Sequence, residues 1–244
     1  MAKPPFIELS RTDRLPILYE DRAVMAVDKP RGWMLVPFTW QRTNRNLQAA
    51  IASSIAAGHF WARSRNLKFL RHIHRLDADT TGILLFAKSQ GALETFSDMF
   101  ESRRMEKRYL AVVCGVPREA EWICRQALAP DPAEVGRMKI DAGGKSAETH
   151  FRVLQAKPGS APTALVEARP VTGRTHQIRV HLMSGGLPVV GDPIYGAGSS
   201  AVPLGLRAVE LMFTNPFTRR LVRIEAPAAE FLRQYGFESG NIPA

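Results

Sequence analysis

Apolar residues along this chain fall into two rhythms, short continuous runs and stretches spaced three and four apart. Residues 17–19 and 24–27 read as two short strands around the turn Glu20-Asp21-Arg22, and Lys29-Pro30-Arg31-Gly32 breaks the second. Residues 82–87 read as a buried strand, and residues 109–114 form a β-rich apolar run ended by Gly115. Helices are predicted over 46–57 and 89–103. The first gathers Leu47, Ala50, Ile51 and Ile55 on one face and stops at Gly58. The second gathers Leu93, Phe96 and Phe100, with Ser89 as its N-cap. Residues 149–154 alternate in the strand manner, and 165–171 give a further strand before the turn Thr172-Gly173. Thr175 is placed to cap a short helix over 176–183, closed by Gly185-Gly186. Residues 207–213 fit a short helix or a strand, and 221–224 a last strand ended by Ala226-Pro227.

Strands and helices mix without regular βαβ alternation, which predicts α+β with a mixed, mostly antiparallel sheet flanked by helices. No composition shift marks a second domain. The expected organisation is an N-terminal arm over 1–16, one domain over 17–237 and a C-terminal tail over 238–244. Residues 130–144 read as the least structured interior stretch, an insertion rather than a linker.

The 244 residues include 45% hydrophobic and 23% charged positions, enough apolar mass for a core and too much for a disordered chain. The longest apolar runs are far too short to span a bilayer, and the N-terminus lacks the apolar centre of a secretory signal. Two cysteines, Cys114 and Cys124, make neither a disulfide framework nor a zinc cluster, so a reduced, cytoplasmic protein is expected. The net charge of +10 adds something new. It points to a polyanionic partner, with a merely solubilising basic surface as the plain alternative.

The segment His72-Ile-His-Arg-Leu-Asp-Ala-Asp-Thr-Thr-Gly82 is dense in reactive side chains. Three chemistries compete for it. His72 and His74 with Asp77 or Asp79 would suit a metal, although no zincin spacing or cysteine pair accompanies them. Asp77 and Asp79 would suit the paired carboxylates of glycoside hydrolysis. A single ionised Asp77, its pKa lowered by a nearby arginine, would suit a nucleophile or base. Arg174 and Arg179, in Thr172-Gly-Arg-Thr-His-Gln-Ile-Arg-Val-His181, are the partners at hand. Against all three stands a structural role, with Asp77 capping a turn and the arginines solvated.

Several motifs resolve this choice by resemblance. His74-Arg-Leu-Asp77 with Asp79-Thr-Thr-Gly82 resembles the catalytic motif of the RluA-type RNA pseudouridine synthases. Val27-Asp-Lys-Pro-Arg-Gly32 is similar to that family's early Lys-Pro-x-Gly turn, and Lys107-Arg-Tyr109 to its Lys-x-Tyr strand. Lys145-Ser-Ala-Glu-Thr149, the Thr172–Leu182 element and Gly191-Asp-Pro-Ile-Tyr195 follow in the family's order. The resemblance covers residues 18–231. It departs at Leu206-Arg-Ala208, where Leu-His-Ala is common, and at Thr81, where Ser is common.

The resemblance implies the pseudouridine synthase fold with a central basic cleft, and isomerisation of uridine in rRNA or tRNA without cofactor or metal. It implies that Asp77 is the essential aspartate, that Tyr109 packs on the target base and that Arg179 pairs with the aspartate. Arg75 matches the residue that takes the place of the flipped base, a step physics requires because the reacting bond is out of reach in a stacked helix. Arg174 and Lys107 are expected to bind RNA, as are the basic stretches 63–71, 103–108 and 219–223. His74, His176 and Gln177 are expected to be structural. A monomer is expected, and about sixteen residues before Ile17 leave no room for the small RNA-binding domain many relatives carry. The alternative is a non-catalytic RNA-binding or RNA-folding factor on the same domain.

Overall fold

Continuous apolar runs become strands and the three-and-four-spaced stretches become helices. The computed structural model describes residues 2–10, 12–35, 45–196, 202–238 and 240. In chain order the elements begin with β1 (Phe6–Glu8), β2 (Arg14–Glu20), β3 (Val24–Lys29), α1 (Leu47–Ala56), α2 (Phe60–Arg63), β4 (Arg71–His72), β5 (Thr81–Ala87) and α3 (Gln90–Glu101). They continue through β6 (Glu106–Cys114), β7 (Glu121–Cys124), β8 (Leu128–Pro130), β9 (Met138–Ile140), β10 (Thr149–Lys157) and β11 (Thr163–Pro170). The last are α4 (Gln177–Ser184), β12 (Leu206–Thr214), β13 (Leu221–Glu225) and α5 (Ala229–Gln234). Helices and mostly antiparallel strands make an α+β fold, as the mixed pattern predicts.

The chain divides into two compact units, Met1–Met105 with Glu210–Ala226, and Glu106–Val209 with Pro227–Ala244. One division falls inside β12, so there is no linker there for composition to mark. Among the described residues, no helix is long and apolar enough to cross a membrane.

In the first unit the strand order is β1-β2-β3-β5, and the Glu210–Thr214 part of β12 pairs β13. Strands β3 and β5 run antiparallel from Val24↔Ala87 to Lys29↔Gly82. Residues 82–87 are all buried, the mark of a strand covered on both faces. Helix α3 packs Ala92, Phe96 and Met99 against Ile83, Leu85, Leu211 and Phe213. Its Ser89 cap forms as predicted, accepting from the Ala92 amide at 3.2 Å. Asn46 caps α1 in the same way, on Ala49 at 3.0 Å.

Residues 1–16, expected as an N-terminal arm, include a strand. Phe6–Glu8 pairs with β2 and buries Ile7 and Leu15. A three-residue strand is too short to leave a readable period. Most of the expected tail over 238–244 lies outside the described residues.

In the second unit the order is β6-β11-β10-β7 along antiparallel registers. Alternation along β6 splits the core in two. Ala111 and Val113 face Ile178 and Leu182 of α4, whereas Leu110 and Val112 face Phe231 and Leu232 of α5. The stretch 130–144, read as the least structured of the interior, carries most of a hairpin, with Leu128↔Ile140 and Pro130↔Met138 paired. Its register rests on apolar positions too sparse to show a period, and Leu128, Met138 and Ile140 pack with Val180 and Tyr195. Helix α4 is capped by His176 in the left-handed region (φ 54°), not by Thr175. The left-handed turn starts the helix one residue later than the sequence suggests.

Phe96 gives a direct test of the first core. It is fully buried and meets Phe213 edge-on at 5.5 Å. Phe96→Ala is expected to cost about 3–5 kcal/mol, read as a lowered urea midpoint with unchanged slope. A cost under about 1 kcal/mol would contradict the packing described.

Candidate active site

In the first unit the reactive segment leaves β4 at His72 and returns to the sheet at Thr81. What holds it is Lys29. The side chain is fully buried, and its Nζ donates to the carbonyl oxygens of Ala78 at 2.8 Å, Thr80 at 2.9 Å and Pro30 at 3.2 Å. Three donors meet three acceptors, so the ammonium's hydrogen-bonding capacity is met in full. Burial pushes the Lys29 pKa down to about 8, against the opposing pull of Asp77 and Asp79. The Gly32 amide adds a bond to Ala78 O at 2.8 Å, from a left-handed φ of 80° that glycine adopts without strain. Arg31 reaches Asp79 at 3.1 Å. The backbone that follows Asp77 is therefore tied to the strand end Lys29-Pro-Arg-Gly32.

The segment's other groups are placed with equal definition. Asp77 is half-buried, Leu76 is buried and Arg75 is exposed. His74 accepts the Leu85 amide on Nε2 at 3.1 Å and stacks on Phe100, so that nitrogen is occupied in structure. His72 shares Gln48 through its ring and its backbone amide. Burial first, then the charges of Arg71 and Arg75, lower its pKa, so it is neutral at neutral pH.

In the second unit, Gln177 is the hub of the turn that precedes α4. It is buried, and its Oε1 accepts from Thr172 Oγ1 at 2.7 Å and the Arg174 amide at 3.0 Å. Its Nε2 donates to Glu148 O and to Thr149 Oγ1, both at 2.9 Å. Lys107 donates to Thr172 O at 3.2 Å, and Arg174 spends its Nε on Ser146 O at 3.0 Å. Tyr109, half-buried on β6, packs on the cluster that includes Ile178 and Leu182 of α4.

Arg179 lies in α4, almost wholly buried. Its Nε and one terminal nitrogen each meet an Asp192 oxygen at 2.7 Å, a bidentate pair. Asp192 also accepts the amides of Ile194 and Tyr195. Burial alone would raise the Asp192 pKa, but the Arg179 bonds outweigh it and the result is a lowered value. Tyr195 presents its ring to Arg179 at 5.2 Å and to Arg137 at 5.5 Å. Its hydroxyl takes the Met138 amide at 2.8 Å and meets His176 Nδ1 at 2.9 Å. Gly191 is required here, because it has φ 71° and any Cβ would overlap the Pro203 carbonyl.

The residues singled out from sequence thus fall into two groups. Arg75 and Asp77 share one loop of the first unit. Lys107, Tyr109, Arg174 and Arg179 belong to the second, where Lys107 and Arg174 flank the Thr172-Gly173 turn. Gln177 has the structural role expected of it, whereas two residues with defined work were missed, Lys29 in the first unit and Asp192 in the second. Each stood inside a quoted motif, but nothing in spacing says that Lys29 is buried or that Asp192 takes Arg179. Parts of the basic stretches are engaged internally. Arg65 and Lys88 share Glu20, Arg104 pairs with Asp98, and Arg223 holds Glu210 and Glu225.

Comparison with known proteins agrees with this arrangement of motifs. The RNA pseudouridylate synthase family profile matches residues 23–184. An RNA pseudouridine synthase of Bacillus subtilis (strain 168), YhcT, is 34% identical over 214 residues, 87% of this chain and 68% of the relative. Ribosomal large subunit pseudouridine synthase C of Escherichia coli (strain K12) is 35% identical over 230 residues, 89% of this chain and 68% of that one. Among solved structures, human RNA pseudouridylate synthase domain containing 1 superposes with a TM-score of 0.71 at 27% identity, covering 91% of this chain and 86% of that one. With the motifs, the fold and these relatives together, the chain belongs to the RNA pseudouridine synthases, isomerases that convert uridine in RNA to pseudouridine.

Two predictions test the braces. The Lys29 pKa in the fold, about 8, lies below its ordinary 10.5. Between those values the unfolded chain holds a proton that the fold has released, so this group's contribution to stability rises with pH across the window. Lys29→Met removes the effect. The stability of wild type relative to Lys29→Met should therefore increase by on the order of 3 kcal/mol from about pH 8 to about pH 10.5. Urea titrations at both ends measure it, and a constant difference would contradict the buried ammonium. Asp192→Ala strips the bidentate carboxylate from a buried guanidinium and should cost about 3–5 kcal/mol, with Asp192→Asn milder. The Asp192 contribution is fully present above its ordinary pKa of 3.8 and is lost as pH falls through the lowered value. A cost for Asp192→Ala below about 1 kcal/mol, the range of surface pairs, would count against it.

Proposed function

We propose that this chain isomerises uridine in structured RNA, ribosomal RNA foremost, and that Asp77 is its nucleophile or general base. The observation that carries the assignment of Asp77 is the buried Lys29 ammonium, which fixes the carbonyls of Ala78 and Thr80 and so holds the backbone that bears this carboxylate. A group that must meet one bond of a flipped nucleotide needs such a rigid base.

In this reading the uridine leaves the stack and Arg75, exposed on the same loop, fills the gap. Tyr109 packs on the uracil. Asp77 acts on the sugar–base unit, the bond from C1′ to N1 breaks, and the uracil turns. The bond from C1′ to C5 forms, the hydrogen on C5 leaves to water, and N1 takes up a proton. Arg179, which the resemblance gives as the partner of the aspartate, is held in α4 by Asp192. Lys107 and Arg174 contact RNA phosphates beside the Thr172-Gly173 turn. The ribosomal preference is supported by the relative named as acting in the large ribosomal subunit.

RNA carrying tritium at C5 of uridine tests the assignment, with ribosomal and transfer RNA pools compared in the presence of chelator. Wild type is expected to release tritium to water from the ribosomal pool, and Asp77→Asn to bind that RNA but release none. Release by Asp77→Asn at the wild-type rate would overturn the role of Asp77. Tight binding with no release by wild type would favour a non-catalytic RNA-binding factor.

A further inference from the structure

The sheet of the second unit has two faces, and the proposed chemistry uses one. The face under α4 carries Tyr109, and Arg179 lies on α4 itself. Helix α5 covers part of the other face, over Leu110, Val112 and Leu165. Beside that covered part the same face bears a charge cluster that the catalytic reading leaves unused.

Its centre is Glu167 on β11, with only 3% of its side chain exposed. Three arginines surround that one carboxylate. Arg169 Nε is 2.9 Å away, Arg152 on β10 is 3.2 Å away and Arg108 on β6 is 3.6 Å away. By strand alternation Arg207 of β12 falls on this face too, since Leu206 belongs to the opposite core. Glu121 of β7 stands opposite Arg152 in the register, so three arginines meet two carboxylates and the cluster keeps a surplus of one positive charge. Arg169 is 57% exposed and Arg152 35% exposed. The buried Arg152 Nε has no hydrogen-bond partner.

We propose that this face is a second RNA site, where Arg152 and Arg169 bind successive phosphates of a strand. Arg152 stands opposite Glu167 in the register, which makes Arg169 its diagonal neighbour. Such neighbours lie about 7–8 Å apart, close to the separation of consecutive phosphates. Glu167 sets the geometry by holding one edge of each guanidinium and leaving the rest of the fork for a phosphate oxygen. Among the described residues no aromatic side chain joins the cluster, so the site grips the backbone and reads no base. It takes from the proposed function only that the chain meets RNA.

Binding of a fluorescein-labelled oligouridylate strand, titrated from about 50 to about 200 mM salt, tests the site. Each phosphate contact to a single strand contributes about 0.7 to the slope of log K against log salt. The double variant Arg152→Ala with Arg169→Ala should lower the slope magnitude by about 1.4 and weaken binding several-fold at the lower salt. Arg169→Lys should keep most of the slope. Arg14→Ala, an exposed arginine of the first unit, should change neither quantity. A slope and affinity equal to wild type in the double variant would overturn the proposal, provided its urea midpoint shows it folded. Tritium release measured in parallel separates the two readings. Release without a slope change fells this site alone, and a slope change without release fells the catalytic assignment alone.

Discussion

An ammonium buried beneath a loop is the constraint on which the first unit's site depends. Lys29 ends β3, and its Nζ has left water entirely. Stripping a cation of its hydration is tolerable only where every proton finds an acceptor. Here the acceptors are backbone carbonyls of Pro30, Ala78 and Thr80, so the loop must adopt the one course that supplies them. Asp77 and Asp79 add the negative charge that keeps the amine protonated despite burial. Charge and backbone therefore specify each other. The lysine needs the loop to be solvated, and the loop needs the lysine to be ordered.

The second unit solves the same problem with different groups. Arg179 is buried in α4 and finds both oxygens of Asp192, while Asp192 is itself fixed by the amides of Ile194 and Tyr195. Gln177 does for the Thr172-Gly173 turn what Lys29 does for the Asp77 loop, meeting two donors and two acceptors with one side chain. In both units irregular backbone is made rigid by a fully satisfied polar group, which is the condition under which a loop can place a reacting group as well as a strand does.

The sequence made the repetitive parts of this architecture readable and hid the parts set by long-range partners. Strand β5 and helix α3 showed because their apolar residues recur at the strand and helix periods, and Ser89 showed because a cap is local chemistry. The hairpin of β8 and β9 did not show, since its few apolar residues pack on Val180 and Tyr195, which are distant in sequence. Strand β1 is three residues long and carries no period. Among the candidate site residues, Asp77, Tyr109 and Arg179 are reached through the order of motifs, as resemblance. Lys29 and Asp192 stood in those same motifs without assigned work. A lysine before a proline reads as a surface charge until the carbonyls that bury it, some fifty residues on, are in view.

In the proposed mechanism the Lys29 brace makes the Asp77 loop competent without itself holding RNA. Single-turnover conversion of ribosomal RNA by Lys29→Met, measured beside its RNA affinity, tests this most directly. An affinity close to wild type is expected, with a chemical step slowed by about a hundredfold, the penalty of a misplaced reacting group. A chemical step at the wild-type rate in a folded Lys29→Met protein would contradict it.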